Sequence, residues 1–143
     1  MLSVFVLYLC GDVIIIYRKE RLKVGYFEHK TIVVTGEGMH FTNAYNRAKE
    51  LFATNDYGEP VNMVSDIVGT GMNQYYSFFI SPCGSKAGWD MDEYFNKKFN
   101  EMVEYLKSND CNFEDGSSFN KWFLAEYGDT GRRIKRSNCK NIL

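Results

Sequence analysis

Proline and histidine are scarce, with two of each among 143 residues. The four cysteines, Cys10, Cys83, Cys111 and Cys139, form no C-x-x-C and stand at no zinc-finger spacing to a histidine. No N-x-S/T triplet and no Gly-Lys-Ser/Thr occur. These absences remove a structural zinc site, a secreted framework of dense disulfides and a Walker-type phosphate loop. The cysteines read as free thiols of a reducing cytoplasm, and their even count leaves two bridges as the alternative. Nor does one sign of charge dominate. Lys and Arg number 17 against 18 Asp and Glu, a formal net charge of −1. Bulk charge therefore demands neither nucleic acid nor an anionic membrane.

What is present is apolar and aromatic. The chain is 45% hydrophobic with 10 Tyr and 11 Phe, enough to offset the entropy of ordering one domain of about 100–150 residues. Residues 1–143 read as a single domain: an N-terminal extension over 1–27, a core over 28–136 and a tail over 137–143.

Leu2–Tyr17 is the longest apolar stretch. It is shorter than the ~20 residues a bilayer needs, carries Asp12 near its middle, and has no Lys or Arg before Arg18. A β-hairpin, Val4–Leu9 and Val13–Tyr17 around a Cys10–Gly11–Asp12 turn, fits better than a membrane anchor. A second reading makes residues 1–23 a non-native leader. Arg18–Lys19–Glu20–Arg21 can be encoded by purine-rich codons resembling a ribosome-binding site, with Val24 as the start.

Beyond the extension the signals alternate. Glu28–Thr35 is a β-branched strand ended by Gly36–Glu37–Gly38. Thr42 caps a helix whose stripe is Ala44, Ala48, Leu51 and Phe52. Val61–Val68 and Gln74–Ser81 form a hairpin closed by Pro82. Asp90–Lys107 is the strongest helix, with Asp90 and Glu93 as a capping box, Trp89 and Tyr94 as a staple, and Met91, Phe95, Phe99, Met102, Val103 and Leu106 at 3.6-residue spacing. Lys121–Tyr127 is the last core strand, and Gly128–Gly131 turns the chain into Arg132–Arg136. From residue 28 the order is β-α-β-β-α-β. The expected fold class is α+β, a ferredoxin-like sandwich with two helices on one face of an antiparallel sheet. The N-terminal hairpin and the C-terminal strand would extend that sheet at its edges.

Four motifs invite chemistry. Gly36–Glu37–Gly38 lacks the third glycine of a dinucleotide fingerprint, since position 41 is Phe. Gly84–Ser85–Lys86–Ala87–Gly88 precedes a helix, but Asp90, Asp92 and Glu93 already complement that helix end and would repel phosphate. Asp129–Thr130–Gly131 spells the aspartic-protease triplet but sits between Gly128 and Arg132–Arg133, where a β-turn is expected. His29–Lys30–Thr31 and His40–Phe41–Thr42 resemble the two H-x-T triplets of two-histidine phosphoesterases, in which one His acts as base and the other as acid. His29, Thr31, His40 and Thr42 are the alternative catalytic set.

No motif requires a metal or a cofactor, so binding without catalysis is the leading expectation. The expected contact surface is a sheet face at Tyr76 and Phe78 rimmed by Arg132, Arg133 and Arg136, since aromatic and Arg side chains dominate contact energy when desolvated. The partner would be a host protein or a second copy. Single-stranded nucleic acid, held by sheet aromatics and the basic strand, is the alternative. No membrane is called for. Tyr76–Tyr94 (YSFFISPCGSKAGWDMDEY) and the segment KWFLAEYGDTGRR resemble small accessory proteins of T-even-type tailed phages. That resemblance implies a cytoplasmic protein acting on a host or defence factor, and it carries no functional residues with it.

Overall fold

The computed structural model describes residues 4–9, 12–17, 25–129 and 131–139; for 4–9, 12–17 and 132–136 the description is of backbone alone. Among the described residues six strands and two helices follow one another: β1 (Val4–Leu9), β2 (Asp12–Tyr17), β3 (Glu28–Gly36), α1 (Gly38–Leu51), β4 (Tyr76–Ile80), α2 (Asp90–Lys107), β5 (Lys121–Gly128) and β6 (Gly131–Ser137). The class is α+β. A four-stranded sheet runs in the order β4-β3-β5-β6, antiparallel at every step.

The alternation of β3 decides which face is buried. Ile32 and Val34 are fully buried. The register sets Ile32 between Ile80 and Leu124, and Val34 between Phe78 and Trp122. These six side chains form one apolar floor. The stripes of both helices join the same core: Phe41, Ala44, Ala48 and Leu51 from α1, and Phe95, Phe99, Met102, Val103 and Leu106 from α2. Phe52, just past α1, lies against Phe99 at 5.1 Å between ring centroids. Each large side chain buried in this way contributes about 1.5–3 kcal/mol.

Four expectations need correction. The N-terminal strands do pair, Val4 with Tyr17 through Leu9 with Asp12, but as a two-stranded sheet of their own and not as an edge of the larger one. Val61–Val68 is no continuous strand; it touches β4 through two isolated bridges, Val64 to Ile80 and Val68 to Ser77. The reason is an extra residue. Ser65 donates to Phe79 O at 2.9 Å and Val68 to Ser77 O at 2.8 Å, so three steps on one side face two on β4, as in a bulge. Ser65 Oγ accepts the Phe79 N–H at 3.0 Å where a ladder carbonyl would stand.

The helix starts also differ. α1 begins at Gly38, and Thr42 lies inside it, its hydroxyl donating to Gly38 O at 3.2 Å. α2 spans the expected Asp90–Lys107, but Trp89 holds the N-cap position. The carboxylate that reaches back is that of Asp92, accepting the Gly88 N–H at 2.9 Å. β6 extends the sheet beyond β5 as expected, with a register shift between Leu124 and Ala125.

Candidate functional site

The two ends of the sheet differ in chemistry. At the end where β3 starts and β5 finishes, a polar network joins Lys30, Asn96 and Asp92, while His29 Nδ1 is buried without a hydrogen-bond partner among the described residues. Lys30 Nζ donates to Asn96 Oδ1 at 2.6 Å and lies 4.0 Å from Glu126. Asn96 Nδ2 donates to Asp92 Oδ2 at 3.0 Å, the same oxygen that takes the Gly88 N–H. Cys83 sits near this network, and burial, with the Asp92 charge adding to it, pushes its thiol pKa up. Such a thiol is a poor nucleophile. Asp129 is used structurally: its carboxylate accepts the Phe27 N–H at 2.9 Å, and its own N–H donates to Phe27 O. The turn expected between β5 and β6 is thereby pinned to the start of β3.

At the opposite end, β3 runs into α1 through Gly36–Glu37–Gly38, β4 begins after a single 3-10 turn at Met72–Gln74, and the loop after α2 returns to β5. A cleft of about 270 Å³ opens there, lined by Glu37, Gly38, Met39, His40, Gln74, Phe113 and Phe119. Its walls are rings. His40 meets Phe113 edge-on at 4.7 Å, and Phe113 meets Phe119 at 5.2 Å with an interplanar angle of 88°. Met39 is 75% exposed, Met72 74%, Phe119 48% and Phe113 40%. Large apolar side chains gathered in the open mark contact sites more often than singly scattered ones do.

The backbone here is also unusual. Asn73 and Gln74 hold positive φ of 53° and 59°, a conformation that costs a non-glycine residue about 1–3 kcal/mol. α1 has no side-chain cap at Glu37 and no acid in its first turn, whereas α2 carries Asp90, Asp92 and Glu93 there.

The expected site residues scatter over this frame. Phe78 is only 1% exposed. It belongs to the floor, between the α1 rings of Phe41 and Tyr45 at 5.6 and 5.3 Å, so it offers no free ring to a partner. Strand alternation explains the correction: Tyr76, Phe78 and Ile80 turn toward the helices, and Phe79, 47% exposed, takes the other face. Tyr76 stays 36% exposed beside Phe41, at the end where the cleft opens. Arg132, Arg133 and Arg136 pair in register with Tyr127, Glu126 and Leu124; their side chains lie outside the described residues.

The H-x-T pair is not assembled. His29 lies at the start of β3 between Phe27 and Tyr127, at 5.9 and 5.4 Å. His40 lies beyond its far end. Seven steps of extended chain at ~3.3 Å each separate His29 from Gly36, about 23 Å, so both imidazoles cannot reach one phosphate. The hydroxyls are also committed, Thr31 to Ile80 O at 2.7 Å and Thr42 to Gly38 O.

Sequence reading found His40 for the wrong chemistry and missed Met39, Met72, Phe113 and Phe119. The usable signal was large apolar residues inside turn-forming stretches, off any strand or helix period. Among the described residues no cluster of three or more His, Cys, Asp or Glu could hold a metal ion, and no helix is long and apolar enough to cross a membrane. Cys83, Cys111 and Cys139 are free thiols. No family model matches the chain, and neither a curated protein nor a solved structure does.

Proposed function

We propose that this chain is a small binding protein, acting without catalysis, that takes a protein partner on the apolar end of its sheet. The observation that carries the reading is the group of exposed Met39, Phe113 and Phe119 lining one cleft, with Met72 exposed on the turn that delivers Gln74 to it. Methionines adapt to a partner's shape, and aromatic rings supply contact energy when desolvated. The phage-like character of Tyr76–Tyr94 and of KWFLAEYGDTGRR supports a cytoplasmic accessory role, with a host or defence factor as partner.

The scaffold fits a split β-α-β arrangement. With 61–68 counted as a bulged edge beside β4, the order 61–68, β4, β3, β5 is the one a ferredoxin-like sandwich requires, and β6 adds an outer strand.

The test is a paired surface variant, Met39→Asp with Met72→Asp. Both side chains are exposed, so stability should change by less than about 0.5 kcal/mol per site. A partner recovered with the wild type from the native host should be lost with the double variant. Equal recovery by both would refute this surface.

A second reading is favoured by the other sheet face. Phe79 and Tyr127 are 47% and 38% exposed, and the basic strand β6 pairs with β5 alongside Tyr127. Rings next to cations are how single-stranded nucleic acid is held. Binding of that kind must weaken steeply with salt. No retention on single-stranded DNA or RNA at low salt would dismiss it.

A further inference from the structure

The cleft is more specific than an apolar patch. We infer that it takes an alkylammonium group on an apolar stem, the side chain of a lysine, free or methylated, on a partner protein. The inference rests on the reading that this end is the contact surface, and it names what the surface recognises.

Three features converge. First, the wall is aromatic and cornered: His40, Phe113 and Phe119 stand successively edge-to-face, the last two nearly perpendicular. Ring faces are electronegative. A cation within about 6 Å of a ring centroid gains ~0.5–1 kcal/mol when exposed and about 2 kcal/mol when desolvated.

Second, the charge is of one sign. Among the described residues Glu37 is the single charged one of the lining, and no Lys or Arg lines the cleft. Phe113 opens a tight turn closed by Gly116 N–H to Phe113 O at 2.8 Å, and the exposed Glu114 and Asp115 form its tip. Hydrogen bonds from the Ser117 side chain and backbone hold the Asp115 carboxyl below the usual carboxylate range, so it stays anionic. Lys121, first residue of β5, turns its Nζ to Ser118 O at 3.2 Å.

Third, the space is small. About 270 Å³ lies just below the ~300–1,000 Å³ typical of small-molecule sites, room enough for a side chain and part of its stem, and the exposed Met39 can cover that stem.

The bare start of α1 argues the other way, because a helix N-terminus favours an anion. Magnitudes decide. The helix end is worth about half a positive charge, and the Glu37 carboxylate carries a full negative one at the same point. The balance is negative before Glu114 and Asp115 are counted.

The experiment is an amide chemical-shift titration of the isotope-labelled full chain with three probes: Nα-acetyl-lysine amide, its Nε-trimethyl form, and Nα-acetyl-norleucine amide, which keeps the stem without the charge. Both ammonium probes should shift the amides of Gly38–His40 and Phe113–Phe119, with norleucine at least tenfold weaker. Phe119→Ala should weaken the ammonium probes at least fivefold. Glu37→Gln should do the same while leaving norleucine unchanged. Equal binding of norleucine and lysine would overturn the inference and leave the contact surface standing. No shift at these amides with any probe at millimolar concentration would also overturn it, and the contact surface would then be decided by the Met39→Asp, Met72→Asp pair alone.

Discussion

Gly36 and Asn120 make a double-mutant cycle whose outcome follows from geometry. A Cβ added at Gly36 would overlap Asn120 Oδ1 outright and lie 3.0 Å from both Asn120 Cγ and Asn120 Cα. Asn120 is 1% exposed, so its amide has no room to swing aside. Overpacking of this kind costs about 1–3 kcal/mol, and the involvement of a backbone atom places Gly36→Ala in the upper part of that range. Asn120→Ala alone should be mild. Its side-chain N and O are buried without a hydrogen-bond partner, and an orphaned buried polar group costs about 1–3 kcal/mol. Removing the amide recovers that cost and loses packing of similar size, leaving a net change within about 1 kcal/mol. In the double variant only the 3.0 Å approach to Asn120 Cα remains, and a small backbone adjustment absorbs it. The double variant should thus recover about 1–2 kcal/mol of the Gly36→Ala loss, a coupling well above the additive error of about 0.5 kcal/mol. Urea unfolding of the four proteins, followed by far-ultraviolet dichroism, measures it. Strictly additive losses would refute the steric account. The contact also fixes the spacing of Glu37 and Phe119, the neighbours of Gly36 and Asn120, so Gly36→Ala should weaken the ammonium probes as well.

Gly128→Ala should cost more than an ordinary surface change, about 2–4 kcal/mol, because the new Cβ would overlap the Phe27 carbonyl oxygen, lie 3.0 Å from Phe27 C, and sit on a φ of +153°; a thermal midpoint unchanged from wild type would contradict this. Burial pushes the Cys111 thiol from its ordinary 9.0 up to about 12. Below pH 9 both folded and unfolded chains keep that proton and the group adds no pH dependence. From pH 9 toward 12 only the unfolded chain releases it, so stability falls with rising pH at up to about 1.4 kcal/mol per unit; unfolding midpoints of wild type and Cys111→Ala that run parallel over this window would refute the assignment. Asp92→Ala should lose about 1–3 kcal/mol, since Asp92 is 8% exposed and its removal strands both the Gly88 N–H and the Asn96 amide; equilibrium unfolding within 0.5 kcal/mol of wild type, roughly the experimental error, would contradict it.

Periodicity carried the elements whose faces are unmixed. The α2 stripe from Phe95 to Leu106 is apolar at every core turn and polar between, and both ends of that helix were legible. The edge segment 61–68 was not, because its fully buried residues, Met63 and Val64, are adjacent and break the alternation, and the Ser65 side chain, invisible to any period-two count, replaces a backbone acceptor. Phe78 was misplaced for a related reason. A run of Tyr75, Tyr76, Phe78 and Phe79 is aromatic on both faces, so alternation alone cannot say which face meets the helices; the pairing of Val34 with Phe78 decides it. The start of α1 was obscured by Gly38, which suggested a turn and instead begins the helix at a positive φ of 65°. The cleft was illegible because it joins residues near 38, 74, 113 and 119, and only the sheet register brings those loops together.

The contrast between the two helix starts shows where interaction energy is left over. At α2 the Asp92 carboxylate takes both the Gly88 N–H and the Asn96 amide, and Asn96 in turn accepts from Lys30. A ligand there would have to displace bonds already made, and each broken buried bond costs about as much as a new one returns. At α1 no side chain caps the helix, Met39 of the cleft lining and Met72 on the turn beside Gln74 stand three-quarters exposed, and that turn is held in a costly conformation. Covering those side chains would remove apolar surface from water at ~25 cal/mol per Å². Selection for stability alone would favour glycine at Gln74, whose φ is positive. Gln74→Gly should gain stability and weaken the partner together, whereas a turn with no contact role would show the gain alone.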